Sequence, residues 1–130
     1  MQINEQNYVD QAEKVILKLK NLTDRNGRPV AMVTTSKLRN LLAMSADIYN
    51  EVINQKEETL DKDICSRIEY LRVRFLYEAG REPSVRNLVN ESCILDVLKS
   101  INQNKKMYVL FNHYMEALIA FHRYYGGKDN

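Results

Sequence analysis

Glycine and proline are scarce in this chain of 130 residues, which has four glycines and two prolines. They cluster in three places, namely residues 27–29, 80–83 and 126–127. No run of residues alternates between polar and apolar side chains with the β-branched enrichment that is typical of strands. Because glycine and proline interrupt helices, the long stretches without them are predicted to be helical.

Cysteine is also rare, and long apolar runs are absent. Cys65 and Cys93 lie far apart and form no CxxC motif, so we expect two buried, reduced thiols rather than a disulfide or metal ligands. No stretch reaches the roughly 18 uninterrupted apolar residues of a membrane span. The N-terminal sequence has no basic segment leading into an apolar one, unlike a signal peptide. These absences predict a cytoplasmic protein with no membrane partner.

The only histidines are His113 and His122, nine residues apart. At 100° per residue they fall on opposite faces of a helix, so they cannot ligate one metal ion together. His113 and Glu116 could supply half of a metal site, but no further ligand lies at a useful spacing. The chain also lacks a glycine-rich phosphate loop, a nucleophile elbow and an HExxH motif. The sequence therefore predicts no catalytic residue, no metal and no cofactor.

The charge is unevenly distributed, although the formal net charge is only +2. Residues 14–39 contain seven basic residues and one acid, whereas residues 40–66 contain two basic residues and six acids. Such blocks create local potentials that the net charge hides, and the basic block favours a polyanionic partner. The apolar content of 45% is that of an ordinary folded protein, and we expect one domain over residues 1–130.

The apolar stripes predict an all-α bundle of about five helices. Thr34, Thr35 and Ser36 can cap the second helix, and Gly80 is a natural residue to follow the third. The fourth segment is either one short helix or a broken pair. The predicted helices cover about residues 7–22, 34–55, 60–79, 84–98 and 105–125, with breaks near residues 23–33, 56–60, 80–84 and 100–105.

The basic residues Lys37, Arg39 and Arg123 have no acid three or four residues away. Lys37 and Arg39 also lie in the first turn of the second helix, where the macrodipole disfavours cations. Two such cations beside free N–H groups predict a phosphate site, although distant carboxylates or solvent could satisfy them instead. Other cations have a local carboxylate: Lys14 has Asp10, Arg67 has Asp63, Arg72 has Glu69, Arg74 has Glu78 and Arg86 has Glu82.

Arginines and tyrosines alternate along the third helix. The stripe consists of Arg67, Tyr70, Arg74, Tyr77 and Arg81. Arginine interleaved with aromatic rings suits a nucleic-acid backbone and stacked bases. Alternatively, Tyr70 and Tyr77 join Val73 and Leu76 in a second apolar face that is buried or contacts another subunit. In that case Arg74 and Arg81 remain as contacts at its rim.

The last helix is apolar on almost every side. Its apolar residues are Met107, Leu110, Phe111, Tyr114, Met115, Leu118, Ile119, Phe121, Tyr124 and Tyr125. A helix of this kind is buried within its own fold or against another subunit. Together with the two-sided third helix, it predicts self-association.

Four segments resemble the small subunit of the type III-A CRISPR (Csm) effector complex. They are YVDQAEKVILKLKN at residues 8–21, TSKLRNLL at 35–42, FLYEAGRE at 75–82 and YMEALIAFHRYYGG at 114–127. The resemblance implies a non-cleaving helical subunit that stacks in several copies beside the backbone subunits, against the guide–target duplex. It carries RNA contact over to Lys37, Arg39, Arg81 and Arg123, and does not assign Arg25 and Arg28.

We therefore interpret the chain as a non-enzymatic, RNA-contacting subunit, with base sequence recognised by the guide RNA. The predicted RNA-binding residues are Lys37, Arg39, Arg74, Arg81 and Arg123. The predicted partners are guide and target RNA, the backbone and large subunits of the complex, and further copies of the chain. The first alternative is a helical protein–protein adaptor that docks an acidic partner, and the second is a DNA-binding regulator that uses the second helix. An enzyme is the last alternative.

Overall fold

A computed structural model describes residues 2–128, and within that range the chain forms six α-helices and no strand. The all-α prediction is confirmed, with six helices rather than about five. The helices are α1 (Tyr8–Lys20), α2 (Thr35–Asn54), α3 (Lys62–Arg81), α4 (Pro83–Ser92), α5 (Ile94–Ser100) and α6 (Lys105–Tyr124). None of the helices in these 127 described positions is long and apolar enough to cross a membrane.

The extra helix arises because the fourth predicted segment is a broken pair. Cys93 separates α4 from α5 in a left-handed conformation, with φ of 56° and ψ of 31°. Its N–H donates to the Asn90 carbonyl, which closes the last turn of α4. Cys65 and Cys93 are both free thiols and only partly buried, and partial burial together with nearby Asp61 raises the pKa of the Cys65 thiol.

Pro83 rather than Gly80 sets the end of α3. Gly80 lies inside the helix, so the prediction that it follows the last turn is wrong. Glu82 adopts an extended conformation, with φ of −133° and ψ of 122°, as a residue before proline prefers. Pro83 then occupies the first position of α4. A backbone N–H at this position would have no partner within the helix, so its absence in proline costs no hydrogen bond. Between α3 and α4 the chain is therefore non-helical only at Glu82, whereas the predicted break covers residues 80–84.

The last helix, α6, lies at the centre of the fold and packs against α1, α2 and α5. Its fully buried side chains are Tyr108, Phe111, Tyr114, Met115, Leu118 and His122. The Tyr108 hydroxyl donates to the Ser45 carbonyl at 2.6 Å, and the Tyr114 hydroxyl donates to the Ser92 carbonyl at 2.9 Å. Most of the apolar surface of α6 is thus covered within its own chain, with Tyr124 80% exposed, so this helix gives little reason for self-association.

Helices α2 and α3 form an antiparallel hairpin with an ion pair at each end. Lys37 at the start of α2 pairs with Glu82, and Glu51 near the end of α2 pairs with Arg67 near the start of α3. The connecting loop is held by Gln55, whose side-chain amide donates to the Thr59 carbonyl at 2.8 Å and accepts from the Asp61 N–H at 3.0 Å. This hairpin carries most of the predicted RNA-binding residues.

Candidate nucleic-acid interface

The start of α2, the end of α3 and the end of α6 meet at one end of the bundle. His122 is fully buried there, with Nε2 2.6 Å from the Val33 carbonyl oxygen and Nδ1 3.2 Å from the Thr35 hydroxyl. The Lys37–Glu82 ion pair joins the start of α2 to the end of α3. Lys37, Arg39, Arg81 and Arg123 therefore lie at this same end, which we call the basic end.

The C-terminal segment covers His122 and reaches the first turn of α2. Gly126 has φ of +83°, and the Gly127 N–H donates to the His122 carbonyl at 2.8 Å. A Cβ at Gly127 would lie 2.0 Å from His122 Cε1, so this position admits only glycine without a shift. The turn brings the Lys128 carbonyl to 2.7 Å from the Thr35 N–H, and that bond fastens the C-terminal segment to α2.

The predicted anion site at the start of α2 is already occupied by protein groups. The Thr35 N–H donates to Lys128, and the Lys37 N–H donates to the Thr34 hydroxyl oxygen at 3.3 Å. The Lys37 ammonium has no acid three or four residues away on its own helix and pairs with Glu82 at the end of α3. The alternative, a distant carboxylate, is the one that the fold supplies. This capping confirms Thr34 as the residue that begins α2.

The predicted contacts Arg39 and Arg123 differ in their interactions with the rest of the protein. Arg39 is exposed and forms no ion pair with any other residue of the 2–128 range. Arg123 is exposed in the last turn of α6 and interacts with another group of the protein. The Lys37–Glu82 pair is also open to solvent, since the two side chains are 39% and 28% exposed. An exposed pair of this kind stabilises a fold by only about 0–1 kcal/mol.

On α3, Arg74 and Arg81 are held by the same two side chains. Their guanidinium carbons lie 5.2 and 5.6 Å from the Tyr77 ring centroid, within cation–π range. Glu78 lies 3.4 Å from Arg74 Nη2 and 3.5 Å from Arg81 Nη1. Because one carboxylate serves two guanidiniums, this cluster keeps one positive charge. The predicted Arg74–Glu78 pair is confirmed, and Arg81 shares its carboxylate.

Among the other predicted local pairs, only Arg72 with Glu69 forms, at 3.3 Å. Arg67 bonds to Glu51 across the hairpin instead of to Asp63. Arg86 donates to the carbonyls of Ala79 and Gly80 at 3.2 and 3.4 Å, which satisfies the last turn of α3 and leaves Glu82 for Lys37. Lys14 and Asp10, both within the described part, form no ion pair.

The second apolar face of α3 is on the surface. Tyr70, Val73, Leu76 and Tyr77 are 64%, 53%, 51% and 54% exposed. The alternative that these tyrosines are buried within the chain is therefore wrong, and a surface for another molecule remains. Contiguous exposed apolar side chains of this size are typical of binding surfaces.

A groove lies between α2 and α3, beside the arginine–tyrosine stripe. It has a cavity volume of about 380 Å³. Its lining consists of Met44, Asp47 and Ile48 from α2 and of Ser66, Arg67, Tyr70, Leu71 and Arg74 from α3. The sequence pattern identified the α3 side of this groove but not the α2 side, because nothing local indicates which helix packs beside the stripe.

The groups at this surface are those of a binding site. They are guanidinium and ammonium donors, aromatic rings and single carboxylates. Within residues 2–128 no group of three or more His, Cys, Asp or Glu side chains could hold a metal ion. Guanidinium forks and lysine ammonium groups are the side chains that bind phosphate oxygens in proteins. The arrangement can therefore hold a polyanion.

The chain is similar to a known family over nearly its whole length. The Csm2 Type III-A family profile matches residues 8–128. A Streptococcus thermophilus CRISPR system Cms protein Csm2 is 37% identical over 127 residues, which cover 98% of each chain. The corresponding Enterococcus italicus protein is 38% identical over 91% of this chain and 89% of its own, and that of Mycobacterium tuberculosis is 34% identical over 99% of both.

Proposed function

The chain belongs to the Csm2 family, the small subunit of type III-A CRISPR effector complexes, and we propose that it binds RNA there without catalysing a reaction. In this proposal the four cations of the basic end and Arg74 contact the phosphates of guide and target RNA. The complex lies in the cytoplasm. The observation that carries the proposal is the convergence of three helix ends, which gathers Lys37, Arg39, Arg81 and Arg123 at one end of the bundle.

The charge balance of this surface favours a polyanion. Glu78 and Glu82 are the carboxylates that pair with Lys37, Arg74 and Arg81, so three cations share two carboxylates. Exchanging the carboxylate of Glu82 for a phosphate oxygen costs Lys37 little, because the exposed pair contributes at most about 1 kcal/mol. Each phosphate that is neutralised also releases counterions, which gives an affinity that depends on salt and not on base sequence.

The same proposal includes contacts with protein neighbours. The exposed Val73 and Leu76 on α3 lie beside the RNA-facing cluster of Arg74 and Arg81, so a neighbour could cover the apolar face while the arginines stay at its rim. We propose that this neighbour is a further copy of the chain, and that the backbone and large subunits of the complex contact the remaining surface.

Two alternatives have less support. A DNA-binding regulator would insert the start of α2 into a groove, but Lys128, His122 and Glu82 already cover that turn. An adaptor that docks an acidic protein would use the same cations, and the paired state of Lys37 suits it equally well. The adaptor therefore stays as the second candidate.

Binding to nucleic acid tests the proposal directly. The isolated protein is titrated with two unrelated single-stranded RNAs and with duplex DNA at two salt concentrations. The proposal predicts similar affinities for the two RNAs, weaker binding at the higher salt and no preference for the DNA. An adaptor predicts no binding to any of them, and a regulator predicts a preference for duplex DNA.

A further inference from the structure

We propose that the groove between α2 and α3 holds one unstacked nucleobase, stacked on Tyr70, while Arg67 and Arg74 contact the flanking phosphates. This inference rests on the proposed function and adds a base contact to it. The cavity of about 380 Å³ falls in the range of small-ligand pockets, roughly 300–1,000 Å³.

The groove has an apolar floor and one aromatic wall. Ile48 and Leu71 form the floor and are only 4% and 2% exposed, with Met44 partly buried beside them. Tyr70 forms the wall, with 64% of its surface exposed. Unlike Tyr77, whose ring lies beside two guanidiniums, Tyr70 has no ring or hydrogen-bond partner within residues 2–128. Its face is thus available to a flat aromatic ligand.

Two cations stand on either side of this wall. Arg67 precedes Tyr70 by three residues and Arg74 follows it by four, so both lie one turn away on the same side of α3. Arg67 pairs with Glu51 and Arg74 pairs with Glu78, and both arginines line the groove. A stacking ring between two fixed cations is the arrangement that binds single-stranded nucleic acid.

Asp47 decides between a nucleobase and an apolar protein side chain as occupant. Its carboxylate lines the groove from α2 and forms no ion pair with any described residue. An apolar side chain would desolvate Asp47 without giving it a donor, which is costly. A base with an exocyclic amino group donates to such a carboxylate, as cytosine N4 does. Uracil donates only from N3–H, which lies between two carbonyl oxygens that a carboxylate repels, so we expect adenine, cytosine and guanine to bind better than uracil.

The groove is continuous with the basic end. Arg74 lines the groove and also shares Tyr77 and Glu78 with Arg81. From Arg67 to Arg81 the helix rises about 21 Å, at 1.5 Å per residue. An RNA strand can therefore follow α3, with its phosphates on the three arginines and one base turned into the groove at Tyr70.

The test uses the folded full chain and an oligouridylate that carries one 2-aminopurine. Wild type should bind it with quenched fluorescence, because the base stacks on Tyr70. Tyr70→Ala should weaken binding about 5- to 100-fold, the loss of one base–aromatic stack, and abolish the quenching. Tyr70→Phe should retain both. Ile53→Ala is the control, since this half-exposed residue of α2 does not line the groove.

A second comparison tests Asp47. In an oligouridylate without 2-aminopurine, replacing one uridine by cytidine should strengthen binding to wild type roughly tenfold or more, the effect of one hydrogen bond to a carboxylate. Asp47→Ala, which leaves no acceptor, should remove that gain.

The outcomes separate the inference from the proposed function. Binding that keeps its affinity and salt dependence in Tyr70→Ala overturns the base site alone. If Tyr70→Ala instead reduces self-association and leaves RNA binding unchanged, the occupant is a protein side chain and the inference is wrong. If wild type binds no RNA at either salt concentration, both the proposed function and the base site are overturned.

Discussion

The Thr35 hydroxyl and His122 Nδ1 lie 3.2 Å apart and join the start of α2 to the end of α6, across 87 positions of sequence. His122 Nε2 lies 2.6 Å from the Val33 carbonyl oxygen and donates to it, since a carbonyl oxygen only accepts. Lys37 and Arg39 lie two and four residues after Thr35, and Arg123 is the residue after His122. This buried contact therefore helps to fix the relative positions of three cations of the basic end.

The Gly127→Ala substitution tests this contact. The new methyl group would collide with the His122 ring, so we expect the free energy of unfolding to fall by about 1–3 kcal/mol, the usual cost of overpacking. RNA affinity should fall with it, because the ring can no longer hold Val33 and Thr35. Urea denaturation and RNA titration provide the two measurements.

Gly80→Ala is the matched control for that substitution. No heavy atom lies within 4 Å of a Cβ at Gly80, which is inside α3, so alanine should stabilise the protein by roughly 0.5–1 kcal/mol. Equal effects of the two substitutions would contradict the described packing of Gly127 on His122.

Two buried tyrosines predict a loss of stability at high pH. Burial raises the pKa of Tyr108 and of Tyr114 above the usual value near 10, and both keep their proton in the folded state. Above about pH 10 the unfolded chain ionises while the folded chain does not, so the free energy of unfolding should decrease as the pH rises further. Tyr108→Phe should reduce that slope, measured by urea titrations from pH 8 to 11.

The prediction for Glu82 concerns its competition with RNA for Lys37. Glu82→Gln removes the carboxylate that pairs with Lys37, so RNA affinity should rise and the salt slope should steepen by up to about 0.7, the contribution of one added phosphate contact. Stability should change by no more than about 1 kcal/mol, since the pair is exposed. Weaker RNA binding in the Glu82→Gln protein would mean that the Lys37–Glu82 ion pair positions Lys37 for RNA binding and does not compete with it.

Self-association should depend on the exposed face of α3. Val73→Asp with Leu76→Asp adds charge to two half-exposed apolar positions, so the fold should persist while any dimer or larger species is lost. Sedimentation velocity at several concentrations measures this. If wild type stays monomeric at high concentration, the prediction of self-association is wrong, and the exposed face of α3 would then contact another subunit.

The sequence predicts the helices well because their determinants are local. Thr34 caps α2 as predicted, and α2 ends at Asn54, one residue before the predicted position 55. The end of α3 was predicted wrongly because glycine is common after a helix, whereas here the stronger restriction comes from Pro83 acting on Glu82. The left-handed Cys93 could be predicted only as a possible break, since no glycine or asparagine indicates it.

The candidate site is less predictable because its partners are distant in sequence. The Lys37–Glu82 and Arg67–Glu51 pairs depend on α2 and α3 packing antiparallel, which no spacing within one helix reveals. For the same reason, Asp47 could not be assigned to the groove from sequence. The arginine–tyrosine stripe of α3 could be identified, since residues three and four apart share a helix face.

The salt dependence of RNA binding by an Arg39→Ala and Arg81→Ala double variant tests the central proposal most directly. Arg39 has no ion pair in the described structure, and without Arg81 the carboxylate of Glu78 still has Arg74, so neither change exposes a new buried charge. Each phosphate contact on a single strand contributes about 0.7 to the slope of log K against log salt, so the slope should flatten by roughly 1.4. Arg72→Ala, which removes a cation paired with Glu69, should leave the slope unchanged. An unaltered slope in a well-folded double variant would contradict the RNA contact and favour the adaptor.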